Sequence, residues 1–398
     1  MDRGFYLKEV LNLKKTCFYI LVLSFLSLTF FSGSEIFAQQ ALPDVVPPKV
    51  VSPRISGLGA PFTSLEAGID TLFINPAGFA FLKKRWSAAR LSSSMTADSF
   101  SLFGVLSQKD KFAALNDSLF NKAKNNIDFS ITGPLSLAIT GKNFGAGIFN
   151  RTIIIANGNS GVRNTLLLGE ELFLTGGYGG VVFENDSSTV ALGIQMKGFF
   201  QTFSYALSAT KSYMENAANA KFKNLNLELV NGLGLDVGFL YKYENSFLLG
   251  LSCRDAYTAV FCTPYSNFTD YKKAKPSGKT KYKYIIPDLS IGIGTIPVCN
   301  DIWQTVSTWA FYIDYRNLLS PIFNKTKSPL LNLAVGTEII LHKVLSFRLG
   351  LNECYPHFGC GLNFTYFQFD ISAYANEGGN KPWKIPVITV DAALSFEY

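Results

Sequence analysis

Strict alternation of apolar and polar residues over long segments constrains this chain more than any other feature. In "VITVDAALSFEY", at the C-terminus, the apolar set is Ile388, Val390, Ala392, Leu394, Phe396 and Tyr398. The same alternation recurs in "TVALGIQMKGFF" (189–200), "WQTVSTWAFYIDYR" (303–316) and "VLSFRLGLN" (344–352). A period of two is that of a β-strand with one apolar face. We therefore predict an all-β chain.

Three features favour a membrane barrel over a soluble sandwich, whose strands would also alternate. The predicted strands often run about 10–14 residues, whereas strands of globular proteins average about 5–6. Bulky aromatic residues cluster near strand ends, as in an interfacial girdle. The polar faces carry charged residues scattered among glycines, which suits a lumen. Apart from these three features, charged residues make up only 16% of the chain, against about 25% in ordinary soluble domains, which suggests unusual apolar exposure.

Loop lengths support the same interpretation. We predict fourteen strands, at 99–107, 127–140, 143–155, 170–183, 189–202, 229–243, 246–258, 283–296, 304–316, 329–342, 344–353, 357–364, 366–376 and 386–398. The connections after even-numbered strands are short, and those after odd-numbered strands are mostly longer. Outer-membrane barrels have an even strand count, short periplasmic turns and long outer loops. Gly133-Pro134 predicts a kink in the second strand, because proline removes a ladder donor.

The N-terminus has the form of an export signal. Lys14 and Lys15 precede the 15-residue apolar run "CFYILVLSFLSLTFF", which is short for a membrane-spanning helix. Cleavage fits after Ala38 or after Ser34. We therefore predict a signal peptide at 1–38, an N-terminal plug at 39–98 and a transmembrane barrel at 99–398.

The plug prediction rests on "IDTLFINPAGFAFL" (69–82), in which two apolar runs flank an Asn-Pro break. An asparagine side chain can hydrogen-bond its own backbone at a turn, and proline fixes φ. Both runs would then face one pocket inside the barrel. The predicted ligand and plug residues are Phe62, Leu72, Phe73, Asn75, Pro76, Ala77, Gly78, Phe79 and Phe81.

Two segments of the sequence show a resemblance to a known family. "SGLGAPFTSLEAGIDTLFINPAGFAFL" (56–82) resembles the N-terminal hatch of the FadL-type outer-membrane transporters of long-chain fatty acids and other hydrophobic compounds. The Asn-Pro-Ala motif of that hatch is matched by Asn75, Pro76 and Ala77. The segment "HFGCGLNFTYFQFDISAYA" (357–375) resembles the C-terminal strands of the family. The resemblance implies a 14-stranded barrel with a plug, and a kinked third strand that opens a lateral exit toward lipid.

These observations lead to a functional expectation. We expect a multi-pass outer-membrane barrel for passive uptake of small hydrophobic molecules such as long-chain fatty acids. A secretion-associated or structural barrel is the alternative, because some relatives with the same motif serve protein secretion. The expected partners are hydrophobic small molecules, outer-membrane lipid and the barrel assembly machinery, without nucleic acid. We expect no enzyme activity, cofactor or metal, and His342 and His357 are interpreted as loop or girdle residues.

Two features leave alternatives open. The cysteines after the signal form either buried free thiols or the pairs Cys253–Cys262 and Cys354–Cys360, with Cys299 left over. The lysines of one predicted outer loop form either a solvated loop or a docking patch for surface phosphates. These lysines are Lys272, Lys273, Lys275, Lys279, Lys281 and Lys283.

Overall fold

A computed structural model describes residues 52–65, 67–82, 85–100, 124–159, 165–206, 225–244, 246–297, 305–319, 327–364 and 366–397. The predicted signal peptide and the residues that follow it up to 51 lie outside the described residues. The described residues all belong to one compact unit.

Within the described residues, fifteen β-strands follow the segment 52–82. They are β1 (Arg85–Thr96), β2 (Lys124–Gly141), β3 (Phe144–Asn159), β4 (Thr165–Glu184), β5 (Ser188–Ala206), β6 (Leu227–Tyr243), β7 (Phe247–Tyr265), β8 (Lys281–Tyr284), β9 (Asp288–Thr295), β10 (Val306–Tyr315), β11 (Leu333–Leu341), β12 (Leu345–Asn352), β13 (Tyr355–Asn363), β14 (Phe367–Glu377) and β15 (Pro386–Glu397).

All strand pairings are antiparallel, and the sheet closes on itself. β1 pairs with both β2 and β15, and β6 pairs with β7, so the order runs once around the barrel. β8 and β9 both pair with β7, at its two ends, and act as one wall strand interrupted at 285–287. Fifteen strands with β8 and β9 counted as one give fourteen wall strands. Closure satisfies the backbone hydrogen bonds and leaves no free sheet edge.

The two faces of the wall have opposite character. On β15, Ile388 and Phe396 point outward and are 55% and 43% exposed, whereas Thr389, Asp391 and Ser395 point inward and are buried. The outward face of the barrel carries many large apolar side chains, and the lumenal face carries the paired polar ones. This is the architecture of outer-membrane barrels. The predicted fold, a 14-stranded barrel with an N-terminal plug, is confirmed.

In the part of the chain that the structure describes, no helix is both long and apolar enough to cross a membrane.

The first wall strand lies earlier in the chain than predicted. β1 begins at Arg85, while residues 97–99 form a short 3₁₀ helix and residues 101–107 lie outside the described residues. The segment inside the barrel therefore ends before residue 85, not at 98. The alternation of β1 is hard to see because its lumenal positions are mostly serines and its register with β15 shifts between Ser87 and Ala89.

The predicted break in β2 is confirmed by its register with β3. Thr132 pairs with Arg151 and Ser136 pairs with Phe149, so β2 uses two more residues than β3 over this interval. Gly133 has a φ of +110°, and a Cβ there would lie 2.8 Å from the carbonyl oxygen of Arg90. Only glycine fits this position without strain. The break lies in the second wall strand, where the sequence predicted it, and not in a third.

The other connections follow the predicted asymmetry. The turns after β2, β4, β6, β11 and β13 are short and share one end of the barrel. The ten-residue connection between β9 and β10 lies at this same end. The connections at the other end are mostly longer, except for the two-residue turn between β12 and β13. Cys253, Cys262, Cys354 and Cys360 are free thiols, so neither predicted pair forms.

Candidate functional site in the barrel lumen

The segment 52–82, hereafter the plug, lies inside the barrel and contains only short helical turns. These are α1 (Pro53–Gly57) and the 3₁₀ helices η1 (Gly68–Phe73) and η2 (Pro76–Phe81). Ser52 caps α1 and Asn75 caps η2, in each case with proline at the first helical position. α1 contacts β12–β15, η1 contacts β2–β4, and η2 contacts β3–β6. The plug therefore crosses the lumen from one side of the wall to the other.

The turn at Asn75 has the predicted geometry. The Asn75 Oδ1 atom accepts a hydrogen bond of 3.1 Å from the backbone N–H of Ala77. Its Nδ2 atom donates to the Thr63 carbonyl at 2.7 Å and to the Phe239 carbonyl of β6 at 3.2 Å. One buried side chain thus closes the turn, ties it to an earlier part of the plug and attaches it to the wall.

The predicted ligand residues divide into two groups. Phe62, Leu72, Asn75, Ala77 and Phe79 are at most 3% exposed, and Pro76 and Gly78 are also buried. These residues anchor the plug. Burying each large apolar side chain contributes about 1.5–3 kcal/mol, so a few of them can hold a segment with little regular structure. Phe73 and Phe81 are only half-buried.

Inward-facing glycines of the wall make room for the plug backbone. A Cβ at Gly193 of β5 would overlap backbone atoms of Pro76 and Ala77, and a Cβ at Gly238 of β6 would overlap the Asn75 side chain. The same close approach occurs along much of the circumference, to plug backbone at Gly179, Gly250, Gly336 and Gly350 and to the Phe79 ring at Gly145 and Gly177. The alternation in the sequence places glycines on the polar faces of the strands but does not indicate this role. A glycine on the lumenal face of consecutive strands is the signal that could have identified it.

An ionic network fixes α1 to the opposite side of the wall. Arg54 contacts Glu338 of β11 with two hydrogen bonds, of 2.8 and 3.1 Å. Glu338 also accepts from Arg348 of β12 at 2.7 Å, and Arg348 donates to Asp370 of β14 at 2.5 Å. Burial disfavours the charged form of Arg54, but the Glu338 carboxylate outweighs it and raises the pKa of this guanidinium. A buried pair of this kind fixes position more reliably than it adds stability.

Further polar contacts hold the rest of the plug. Asp70 of η1 accepts from Arg90 of β1 at 2.5 Å and from Ser52 at 2.6 Å. Asp314 of β10 accepts from the backbone N–H groups of Phe62 and Thr63, at 2.8 and 2.7 Å. Buried backbone donors need such partners. The sequence did not reveal them because each pair joins residues far apart along the chain.

An aromatic cluster lies on one side of the lumen, where the plug presents the half-buried Phe73 to wall aromatics. The ring of Phe73 lies 4.9 Å from that of Phe149 on β3 and 6.2 Å from that of Phe173 on β4. Both wall phenylalanines are buried. The lumens of water-filled barrels are polar, so an apolar cluster of this kind distinguishes this lumen from that of a general solute channel.

The break in β2 lies directly beside this cluster. Phe149 pairs with Ser136, the first paired residue after the gap, and residues 133–135 have no ladder partner on β3. On the outer face of the wall, next to the gap, lies an apolar groove of about 710 Å³. Its outward-pointing lining includes Trp86, Leu137, Ile148, Leu174, Met196 and Leu233. The lumenal cluster and the outer groove therefore lie on opposite faces of β3 and β4, next to the break in β2.

No protein-family model matches the sequence, and no curated protein sequence matches it. Several solved structures are similar in fold. They include the toluene transporter TbuX of Ralstonia pickettii (10% identity, 87% of this chain and 97% of that one, TM-score 0.46). The toluene transporter TodX of Pseudomonas putida has 9% identity, with 86% of this chain and 96% of that one covered and a TM-score of 0.45. A FadL homologue of Pseudomonas aeruginosa has 10% identity, with 86% of this chain and 96% of that one covered and a TM-score of 0.41.

Other lumenal polar residues lie away from the cluster and are paired among themselves. Lys197 of β5 contacts Asp236 of β6 at 2.7 Å and Asp255 of β7 at 2.8 Å. His357 was expected in a loop or girdle, but it is 2% exposed in the lumen, with its Nδ1 atom 2.6 Å from the Ser56 carbonyl. His342 lies in the turn after β11, as expected. In the described ranges, no three His, Cys, Asp or Glu side chains are grouped to hold a metal.

Proposed function

We propose that this barrel carries small hydrophobic molecules passively across an outer membrane. The observation that supports the proposal best is the aromatic cluster of Phe73, Phe149 and Phe173 directly inside the β2 break. A molecule would enter from the long-loop end, bind between plug and wall at this cluster, and leave through the gap at 133–135 into the lipid-facing groove.

The route needs no energy source. Once the molecule has entered, each later step moves apolar surface from one apolar environment to another, so the molecule is not returned to water. Exposing apolar surface to water costs about 25 cal/mol per Å². An apolar molecule therefore favours a lateral exit into lipid over an axial exit into water. Water and ions have no such preference, and the plug fills their axial path.

Outer-membrane lipid and the barrel assembly machinery are the proposed macromolecular partners, and the chain acts as a transporter rather than as an enzyme. Of the predicted ligand residues, Phe73 is assigned to ligand contact. The buried residues Phe62, Leu72, Asn75, Pro76, Ala77, Gly78 and Phe79 are assigned to holding the plug.

Replacing the cluster residue of the plug should impair uptake selectively. Phe73→Gln places an amide in the aromatic cluster. The ligand then loses contact with most of one large apolar side chain, which weakens binding by more than about 1 kcal/mol. We therefore expect uptake of radiolabelled oleate and toluene to fall about tenfold. Uptake is measured in cells that produce the protein in an intact outer membrane and lack other channels for hydrophobic compounds.

Phe81→Gln is the matched control, because Phe81 is half-buried in the same plug but packs under Lys242, 4.6 Å from its ring centroid, and not in the cluster. It should retain most of the uptake. Equal uptake by both variants and the unmodified protein would contradict the role of the cluster. Uptake no faster than in cells without the protein, with a stoichiometric protein partner recovered instead, would favour a secretion-associated barrel.

A further inference from the structure

The connection between β7 and β9 carries a concentrated positive charge. The helix α2 (Phe268–Lys272), the following turn and β8 contain six lysines within residues 272–283, and no carboxylate occurs from 271 to 287. Lys272, Lys273, Lys275 and Lys279 are exposed, and none of them forms an ion pair within the described residues. We call these four side chains the lysine patch.

Exposed aromatic residues lie directly below the lysine patch, on the lipid side of the wall. Tyr257 and Phe261 of β7 and Tyr282 and Tyr284 of β8 are 45–56% exposed. Their rings contact one another, with centroid distances of 5.5 Å for Tyr257–Tyr284, 5.1 Å for Phe261–Tyr282 and 4.6 Å for Tyr282–Tyr284. Lys281 and Lys283 alternate with the two tyrosines of β8 and point to the other face.

The apolar wall continues below these aromatics. Ile286, Ile291 and Ile293 are 53%, 39% and 46% exposed on the same outward face. The order along this part of the barrel is therefore isoleucine, then tyrosine, then lysine. Tyrosine is enriched where the hydrocarbon region of a membrane meets the headgroups. The lysine patch then lies at the level of the headgroups and just beyond them.

We propose that the lysine patch binds the phosphate groups of lipid headgroups in the outer leaflet of the surrounding membrane. Lys279 lies three residues from Tyr282, which is about 10 Å along an extended strand. This distance is comparable to the screening length at physiological salt. Basic side chains next to a membrane surface attract anionic headgroups in this way. The aromatic face commits the patch to lipid, because it points outward from the barrel and not into the lumen.

The test compares lipids that differ only in phosphate. The full chain is purified in neutral detergent and incubated with diphosphorylated lipid A or with the same lipid after enzymatic removal of its phosphates, and retained lipid is counted by native mass spectrometry. We expect the phosphorylated lipid to be retained preferentially. The quadruple variant Lys272→Gln, Lys273→Gln, Lys275→Gln, Lys279→Gln should retain at least about tenfold less of it, since each lysine near a membrane surface strengthens the attraction severalfold.

A second quadruple variant controls for net charge. Four other lysines are also exposed and lie outside the patch: Lys142, Lys343, Lys381 and Lys384. Lys381 and Lys384 lie at the same end of the barrel as the patch. Their replacement by Gln should leave retention near that of the unmodified protein. Equal loss in both quadruple variants, equal retention of the dephosphorylated lipid, or unchanged retention in the patch variant would each overturn the proposal and leave a solvated loop. Folding of every variant is checked by the shift in gel mobility on heating.

Discussion

Deleting residues 52–82 should turn a barrel that is closed to ions into one that conducts them. The deletion removes the plug but leaves all fourteen wall strands, since the first begins at Arg85. The backbone hydrogen bonds of the wall run between strands, so the barrel should still assemble. Wall carboxylates such as Glu338 would lose a plug partner and gain water, which compensates for the loss of a buried ion pair.

Conductance of single barrels in planar bilayers provides the measurement. We expect the unmodified protein to pass little current and the deletion variant to give stable open channels. The same variant should also lose binding of a fluorescent fatty acid, because Phe73 is removed with the plug. A deletion variant that assembles, stays closed and still binds the fatty acid would show that 52–82 is not the plug of this barrel.

Replacing one lumenal glycine should displace the plug without touching it. A Cβ at Gly193 overlaps backbone atoms of Pro76 and Ala77, and backbone cannot move aside as a flexible side chain would. Gly193→Val should therefore cost at least about 1–3 kcal/mol of plug docking, which is typical of overpacking a close contact. Because valine is favoured in strands, the wall itself should tolerate it.

Gly198→Val is the matched control, on the same strand and on the opposite face. The nearest atom to a Cβ at Gly198 is 4.0 Å away, so the side chain has room. In planar bilayers, the Gly193 variant should show frequent openings, and the Gly198 variant should stay closed. Equal behaviour of the two variants would mean that close packing on the wall glycines does not hold the plug.

The sequence predicted the parts of this molecule that depend on local pattern. Alternation identified most wall strands, and the Asn75-Pro76 pair predicted a turn that closes through the Asn75 side chain. Gly133-Pro134 predicted the break in β2, because a residue without a backbone donor interrupts any ladder it joins. These features can be read from neighbouring residues alone.

The rest depends on strand register, which the sequence does not contain. The Arg54–Glu338 contact joins residues 284 positions apart, and Lys197 meets its two aspartates only because three strands are aligned. β1 was missed because serines and a register shift obscure its alternation. The anchoring role of most predicted ligand residues was missed for the same reason, because their burial depends on which wall glycines they face.

Closing the gap in β2 tests the central claim most directly. Deleting Gly133 and Pro134 removes the two residues by which β2 exceeds β3 between Thr132 and Ser136, and leaves the outward-facing Leu135 between them, so the ladder between β2 and β3 becomes continuous. Pro134→Ala is the control, because it keeps the residue count and therefore the gap. We predict that uptake of radiolabelled oleate falls to background in the deletion variant and persists in Pro134→Ala, with neither variant conducting ions. Uptake at the unmodified rate in a correctly assembled deletion variant would contradict lateral passage through this wall.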